Sequence, residues 1–272
     1  MDLLATARRL ETIQAEVVRQ LASEAEPVAG GWMASNGPGS YLNKAVGLGF
    51  EAEPTDEDVA RIDRFFASRG IEPKVELTQF APRSFLRRLA DRGFVLQEFE
   101  NTLVLPLRGL PAPRTLLPVG WPAGVRIERI DPRDDAQMNV FVRTSASGFI
   151  PDGQEISEEY LLTGARAARA PEHDSYIAYV GAEVAGAGGC GTRRGVTSLF
   201  GTSVLPRFRR RGIQQALMAV RLERALELGS DLSDLTSHPG IPTERNAGRL
   251  GFQLAFVRPV LVKRVPGLVP SP

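Results

Sequence analysis

The sequence predicts an α/β (α+β) chain organised in two halves, and two stretches predict it. Between Val196 and Leu228 an apolar strand, a sharp turn and a long amphipathic helix follow one another. Pro206 ends the strand, because proline cannot donate to a ladder, and Gly229 stops the helix. The second stretch is an internal echo. Strand, helix, short strand and helix precede both Gly93-Phe94 and Gly251-Phe252, and a long apolar strand follows each pair.

Composition sets the outer limits. The chain has 272 residues, enough for two domains of about 100–150 residues. Its apolar and charged fractions are ordinary for a globular protein. A formal net charge of +1 argues against a dedicated nucleic-acid binder, which is usually strongly basic. Cys190 is the only cysteine, so no internal disulfide forms, as in a reducing cytoplasm. With two histidines, His173 and His238, the usual Cys/His zinc clusters are excluded, and no metal site is expected. The first residues carry acidic side chains and no long apolar run, so they do not read as a signal peptide. No segment is apolar for long enough to span a membrane. The expectation is a cytoplasmic protein.

In chain order, an amphipathic helix is expected from Asp2 to about Ala22, then strands at Val28–Met33 and Tyr41–Leu48 around the Asn36-Gly37-Pro38-Gly39 turn. Thr55 suits the cap of a helix whose first turn is acidic. A strand at Lys74–Leu77, a helix at Pro82–Arg92 and extended chain from Phe94 to Leu107 complete the first half. Five prolines between Pro106 and Pro122 mark Arg108–Ala123 as a stiff, extended linker. The second half opens with a strand at Val125–Ile130 and two helices, the first capped by Asp131 or Asp134 and the second spanning Ile156–Arg169. A hairpin follows, Ser175–Val180 with Glu183–Gly191, turning at Gly181-Ala182. After the central strand and helix come a short strand at Asp234–Thr236, a helix at Pro242–Arg249 and terminal extended chain from Phe252 to Arg264. In the central helix Ile213, Ala216, Leu217 and Val220 share one face, while Arg221, Glu223, Arg224 and Glu227 fall mostly on the other.

The chemistry concentrates in the turn before that helix. A helix beginning at Gly212 offers unpaired backbone N–H groups at its positive end. Glycine there lets the backbone approach a phosphate closely. Arg207, Arg209, Arg210 and Arg211 add positive charge. A solvated basic loop and a nucleic-acid patch are the alternatives at this point.

These residues resemble the cofactor motif of the GNAT acyltransferases: strand, V-x-P, then R-x-x-G-x-(G or A), then helix. Val204, Pro206, Arg209 and Gly212 hold the motif positions, and Gln214 departs from the usual small residue. The order β-α-α-β-β-β-α-β-α-β over Gly124 to Arg264 also matches the GNAT layout. The resemblance implies two GNAT-like domains, each a mixed, mostly antiparallel sheet flanked by helices: residues 1–107 degenerate, 108–123 the linker, 124–272 the acyltransferase. It implies acetyl-CoA as donor, with its pyrophosphate on the amides of Arg210, Arg211, Gly212, Ile213, Gln214 and Gln215. Its pantetheine arm would lie along Thr202, Ser203 and Val204. Asn246 is a candidate for lining the acyl or pantetheine pocket, with an ordinary helix-face amide as the plainer reading. The acceptor would be a primary amine. In the first half GLGFEAEPTDED stands where the basic turn should be, so that half is expected to bind no CoA.

Catalytic groups are harder to place. The tyrosine that the family uses to protonate the leaving thiolate would fall at Ala247, and its glutamate near Leu235 or Thr236. His238 is the nearest histidine and the candidate base; a surface histidine before Pro239 is the plainer reading. The missing groups keep open an acyl-CoA-binding protein without transferase activity. Gly186, Gly188 and Gly191 spell G-x-G-x-x-G, but a turn rather than a helix follows, so this reads as a glycine-rich strand and not a dinucleotide site. Cys190 reads as a small buried residue, and Tyr176 and Tyr179 as split between core and rim.

Overall fold

A computed structural model describes residues 1–51, 53–150 and 154–270. In chain order the elements are α1 (Leu3–Leu21), β1 (Glu24–Val28), β2 (Gly31–Ser35), β3 (Lys44–Val46), α2 (Asp56–Ala67), β4 (Lys74–Glu76), α3 (Arg83–Asp91) and β5 (Val95–Pro106). They continue as β6 (Val125–Arg129), α4 (Asp135–Ala146), α5 (Glu158–Ala168), β7 (His173–Val180), β8 (Glu183–Arg193) and β9 (Val196–Val204). The last are α6 (Ile213–Glu227), β10 (Leu232–Ser237), α7 (Pro242–Arg249) and β11 (Gln253–Val262).

Local chemistry accounts for most boundaries. Asp2 caps α1 by accepting from the Ala5 N–H. Thr55 and Asp58 close a reciprocal capping box on α2. Asp134, rather than Asp131, caps α4, and Ser157 caps α5. One expected strand is corrected: Val28–Met33 contains a hairpin bend, with Ala29 and Gly30 at φ 48° and 84°. Two successive left-handed residues make the tight turn that matches strand twist, and an alanine in the first of them gave no turn signal.

The chain divides into two compact units, Met1–Asn101 with Ala255–Pro272, and Thr102–Leu254. In the first, the strand order is β1-β2-β3-β4-β11. Neighbours there are antiparallel except β3 and β4, which are parallel at Ala45↔Val75. In the second, the order β10-β9-β8-β7-β6 is antiparallel except for parallel β9 and β10. Each unit therefore contains a strand, a helical crossover and a parallel strand: β3-α2-β4 and β9-α6-β10. The strand that completes the first unit comes from the far end of the chain, where Val260–Val262 pair with Glu76–Lys74.

A charged core holds that late strand. Arg258, 3% exposed, pairs with Glu11 at 2.6 Å and with Glu100 at 3.3 Å. Beside it the Lys44 ammonium lies 2.8 Å from Glu76, which also accepts from Gln14 at 3.0 Å. Arg258 needs buried carboxylates, and those lie on α1 and β5.

In the second unit the side chains of β7 alternate between two cores. Tyr176 and Ala178 pack with Leu217, Met218 and Leu222 of α6. Ile177 packs with Met138, Phe141 and Val142 of α4 and Ala168 of α5. Helices α4 and α5 thus cover one face of the sheet, and α6 the other. The proline-rich stretch is not a bare extended spacer. It holds one turn of 3-10 helix, Pro113–Leu116. Pro113 is buried there, and Leu117 and Trp121 join the α6 core. Arg114 pairs with Glu223 of α6 at 2.8 Å. The apolar residues set between the prolines find α6 to pack against.

The Glu76 carboxyl yields a pH test. Burial pushes its pKa upward, but Lys44, Arg258 and Lys74 together outweigh that and hold it at about 2, below the ordinary 4.5. A depressed folded pKa means the stabilisation is complete above about pH 4.5 and is lost as pH falls toward about 2. Urea unfolding should show Glu76→Gln destabilised by about 3 kcal/mol at pH 7, the cost of breaking a buried ion pair. The gap from wild type should close progressively below pH 4.5.

Candidate acyl-donor site

The site is built where β9 leaves its parallel neighbour. β9 and β10 pair from Val196↔Leu232 to Leu199↔Leu235. Beyond that register β9 continues to Val204 and β10 to Ser237. Past Leu199 the backbone of β9 is released from β10, and a wedge opens between them.

On its other side β9 carries a bulge. Ala187 is paired with Ser203 and Gly189 with Phe200, so Gly201 and Thr202 stand opposite Gly188 alone. Gly201 takes φ 58°, and a Cβ there would lie 2.6 Å from the Ser145 Oγ. That hydroxyl, at the end of α4, donates to the Gly201 carbonyl at 2.7 Å. Two residues on, the Ser203 hydroxyl lies 3.2 Å from that of Ser147.

After β9, Pro206–Phe208 form a single 3-10 turn. The Phe208 ring is buried in the α6 core and anchors it. Arg210 then adopts φ 62° and Gly212 φ 77°. Left-handed residues alternating with ordinary ones in such a turn direct N–H groups into one concavity. Helix α6 starts at Ile213 with no side chain capping it, so its first amides lack intrahelical acceptors. The nearest atom to a Cβ at Gly212 would be Pro122 Cβ, at 3.8 Å, so the approach is open. Arg209, Arg210 and Arg211 are exposed around this end. The Arg209 Nε donates to the Val204 carbonyl at 3.2 Å, tying the turn to the strand. Arg207 instead pairs with Glu183 at 2.8 Å.

Gln214 points to α7. Its amide nitrogen donates to the Thr243 hydroxyl at 2.9 Å, and its carbonyl accepts from the Asn246 amide at 2.6 Å. Asn246 is therefore engaged in joining α7 to the start of α6. Ile213 is core, 1% exposed. Gln215 is buried, and its Nε2 has no hydrogen-bond partner among the described residues.

The structure thus gathers Thr202, Ser203, Val204, Arg209–Gln215 and Asn246 around one wedge and one helix start. His238 is exposed just after β10. Ala247 and Leu235 are fully packed and Thr236 is exposed. Cys190 is buried and burial pushes its thiol up to about 12, although Arg221 acts in the opposite sense; it is a thiol at neutral pH. Tyr176 is buried, with its phenol raised by burial, while Tyr179 is half-buried on the other face.

Three residues were not singled out from the sequence as site groups. Ser145 holds the bulge, as above. Asp234 of β10 accepts from the Ser198 hydroxyl at 2.6 Å, just before the strands part. Arg221, expected on the outer face of its helix, is wholly buried. The signal for Arg221 was the glycine series on β8. A Cβ at Gly188 would lie 3.0 Å from the Arg221 Cζ, and one at Gly189 would lie 2.6 Å from the Phe200 ring. The glycines make room for those two side chains, and β8 runs on to Arg193 with no helix after it.

Among the described residues no helix is long and apolar enough to cross a membrane. No curated protein matches the chain. Among solved structures, the fold is similar to a GCN5-related N-acetyltransferase from Kribbella flavida, with a TM-score of 0.70 at 17% identity, over 95% of this chain and 96% of that one. It is also similar to a tandem GNAT protein from the clavulanic acid biosynthesis pathway, with a TM-score of 0.61 at 12% identity, over 96% and 94% of the two chains. A functionally unknown conserved protein from Staphylococcus epidermidis gives a TM-score of 0.57 at 12% identity, over 83% and 86%. Residues 140–252 match the model of the acetyltransferase (GNAT) family. That span runs from α4 through β9 and α6 to the Gly-Phe pair, so the chain carries an acetyltransferase domain of the GNAT family.

Proposed function

We propose that this chain moves an acetyl group from acetyl-CoA to a primary amine. The observation that carries the reading is the open, uncapped start of α6, set beside the wedge between β9 and β10. Backbone amides from Arg210 to Gln215 would take the pyrophosphate, because a helix N-terminus offers both donors and a favourable dipole. Arg209, Arg210 and Arg211 would add charge from solvent. Thr202, Ser203 and Val204, freed from β10, would pair with the pantetheine arm. Gln214 replaces a small family residue, and its side chain is turned onto Thr243 and Asn246, away from the helix axis end. Asn246 would then line the pocket through that link.

Acetyl-CoA supplies the activated thioester; the chain supplies position. Holding the thioester beside the incoming nitrogen accounts for the first part of the rate enhancement. His238, solvent-facing after β10, is the proposed base for the amine proton. We read the first unit as a degenerate GNAT-like copy. It keeps the β3-α2-β4 crossover, while its corresponding turn carries Glu51, Glu53 and Asp56 in place of arginines. Ala52 of that turn lies outside the described residues.

A second reading, an acyl-CoA-binding protein that transfers nothing, is favoured by Ala247. That residue is wholly buried where a phenol would protonate the departing thiolate.

Isothermal titration tests the donor site. Wild type should bind acetyl-CoA, and Gly212→Asp should bind it at least about tenfold more weakly, because one misplaced charge costs above 1.4 kcal/mol in such a site. A Cβ at Gly212 meets nothing closer than 3.8 Å, although φ 77° strains any side chain there; equal affinities would remove the pyrophosphate from this turn. Release of free thiol from acetyl-CoA across a panel of amines should rise above the amine-free rate. No rise with any amine, despite binding, favours the second reading.

A further inference from the structure

Arg221 is the largest fully buried side chain in the described structure. Its Nε donates to the Leu217 carbonyl at 2.9 Å. Its Nη1 reaches two carbonyls at once, Gly189 on β8 at 2.8 Å and Phe200 on β9 at 3.3 Å. Its Nη2 is buried without a partner, and no carboxylate pairs with it among the described residues. Burial lowers its pKa to about 10, so it remains a cation at neutral pH.

A buried cation with no counterion is costly. Gly188 is also given up to it, since a Cβ there would lie 3.0 Å from the guanidinium carbon. The position of the charge suggests its use. Gly189 and Phe200 are the last pair before the bulge, where two residues of β9 face one of β8. Carbonyls at a bulge lose regular ladder partners. Arg221 takes the Phe200 carbonyl from the α6 face, and the Ser145 hydroxyl takes the next one, Gly201, from the α4 side. In a planar trans peptide the N–H points opposite to its C=O. Pinning these two carbonyls therefore fixes the directions of the Gly201 and Thr202 N–H groups at the mouth of the wedge.

We propose that Arg221 is a positioning residue for the donor's thioester carbonyl, acting through the Phe200–Thr202 backbone that it pins at the bulge. This rests on the wedge being the acyl-donor site. The guanidinium also polarises the Phe200–Gly201 peptide, which makes its N–H a stronger donor. A purely structural arginine would not affect the thioester itself.

The test uses the full chain with CoA and with acetyl-CoA isotope-labelled at the thioester carbonyl. Wild type should bind CoA, and the infrared carbonyl stretch of bound acetyl-CoA should shift to lower frequency than in free solution. Arg221→Met should bind CoA unchanged but lose most of that shift, and Arg221→Lys, which keeps the charge, should recover part of it. If Arg221→Met does not fold, Gly188→Ala, whose Cβ would lie 3.0 Å from the Arg221 Cζ and push the guanidinium by a few tenths of an ångström, should lower the shift in part. A full shift in these variants overturns the inference, as does a wild type that binds acetyl-CoA without any shift. Wild type that binds neither ligand fails the donor reading itself, and the inference with it.

Discussion

Two parallel strands that pair for four residues and then part are the constraint on which the second unit depends. β9 and β10 must be parallel because α6 carries the chain back across one face before β10 begins. That same crossover brings the start of α6 to the end of β9, where the strand has left its partner. A helix N-terminus and an unpaired strand backbone therefore meet in one place. Each is unsatisfied for its own reason: the helix because its first amides have no acceptors, the strand because its neighbour has turned away. Left-handed backbone at Arg210 and Gly212 makes the corner between them tight enough to leave the amides open.

The first unit repeats the crossover and uses it differently. β3 and β4 meet at a single register pair, Ala45↔Val75. Around them Lys44, Glu76, Glu11 and Arg258 form a buried, mutually compensated network. The turn after β3 is acidic rather than basic. One topology thus serves two ends, a charged core in one unit and an open wedge in the other.

Much of this was legible in residues whose physics is local. Thr55 and Gly212 each state a boundary directly, and Asp134 was one of the two caps that the sequence offered for α4. The motif from Val204 to Gly212 placed the helix start and the strand end because glycine, proline and arginine leave few conformations there. What the sequence concealed depends on distant partners. Arg221 looked like surface, because an arginine on the polar side of a helix usually is; only the glycines of β8, over thirty residues earlier, make the space that buries it. Arg258 likewise takes its carboxylates from distant elements, α1 and β5. The bend at Ala29 was hidden by an alanine doing what glycine or asparagine normally does. The prolines after Pro106 suggested a spacer, whereas the leucines and the tryptophan between them decide that the segment packs.

A crystal structure of the protein with acetyl-CoA tests the central claim most directly. The account predicts the pyrophosphate on the backbone amides between Arg210 and Gln215, and the pantetheine arm along Thr202 to Val204. Density for the nucleotide anywhere else, above all at the acidic turn after β3, would contradict it.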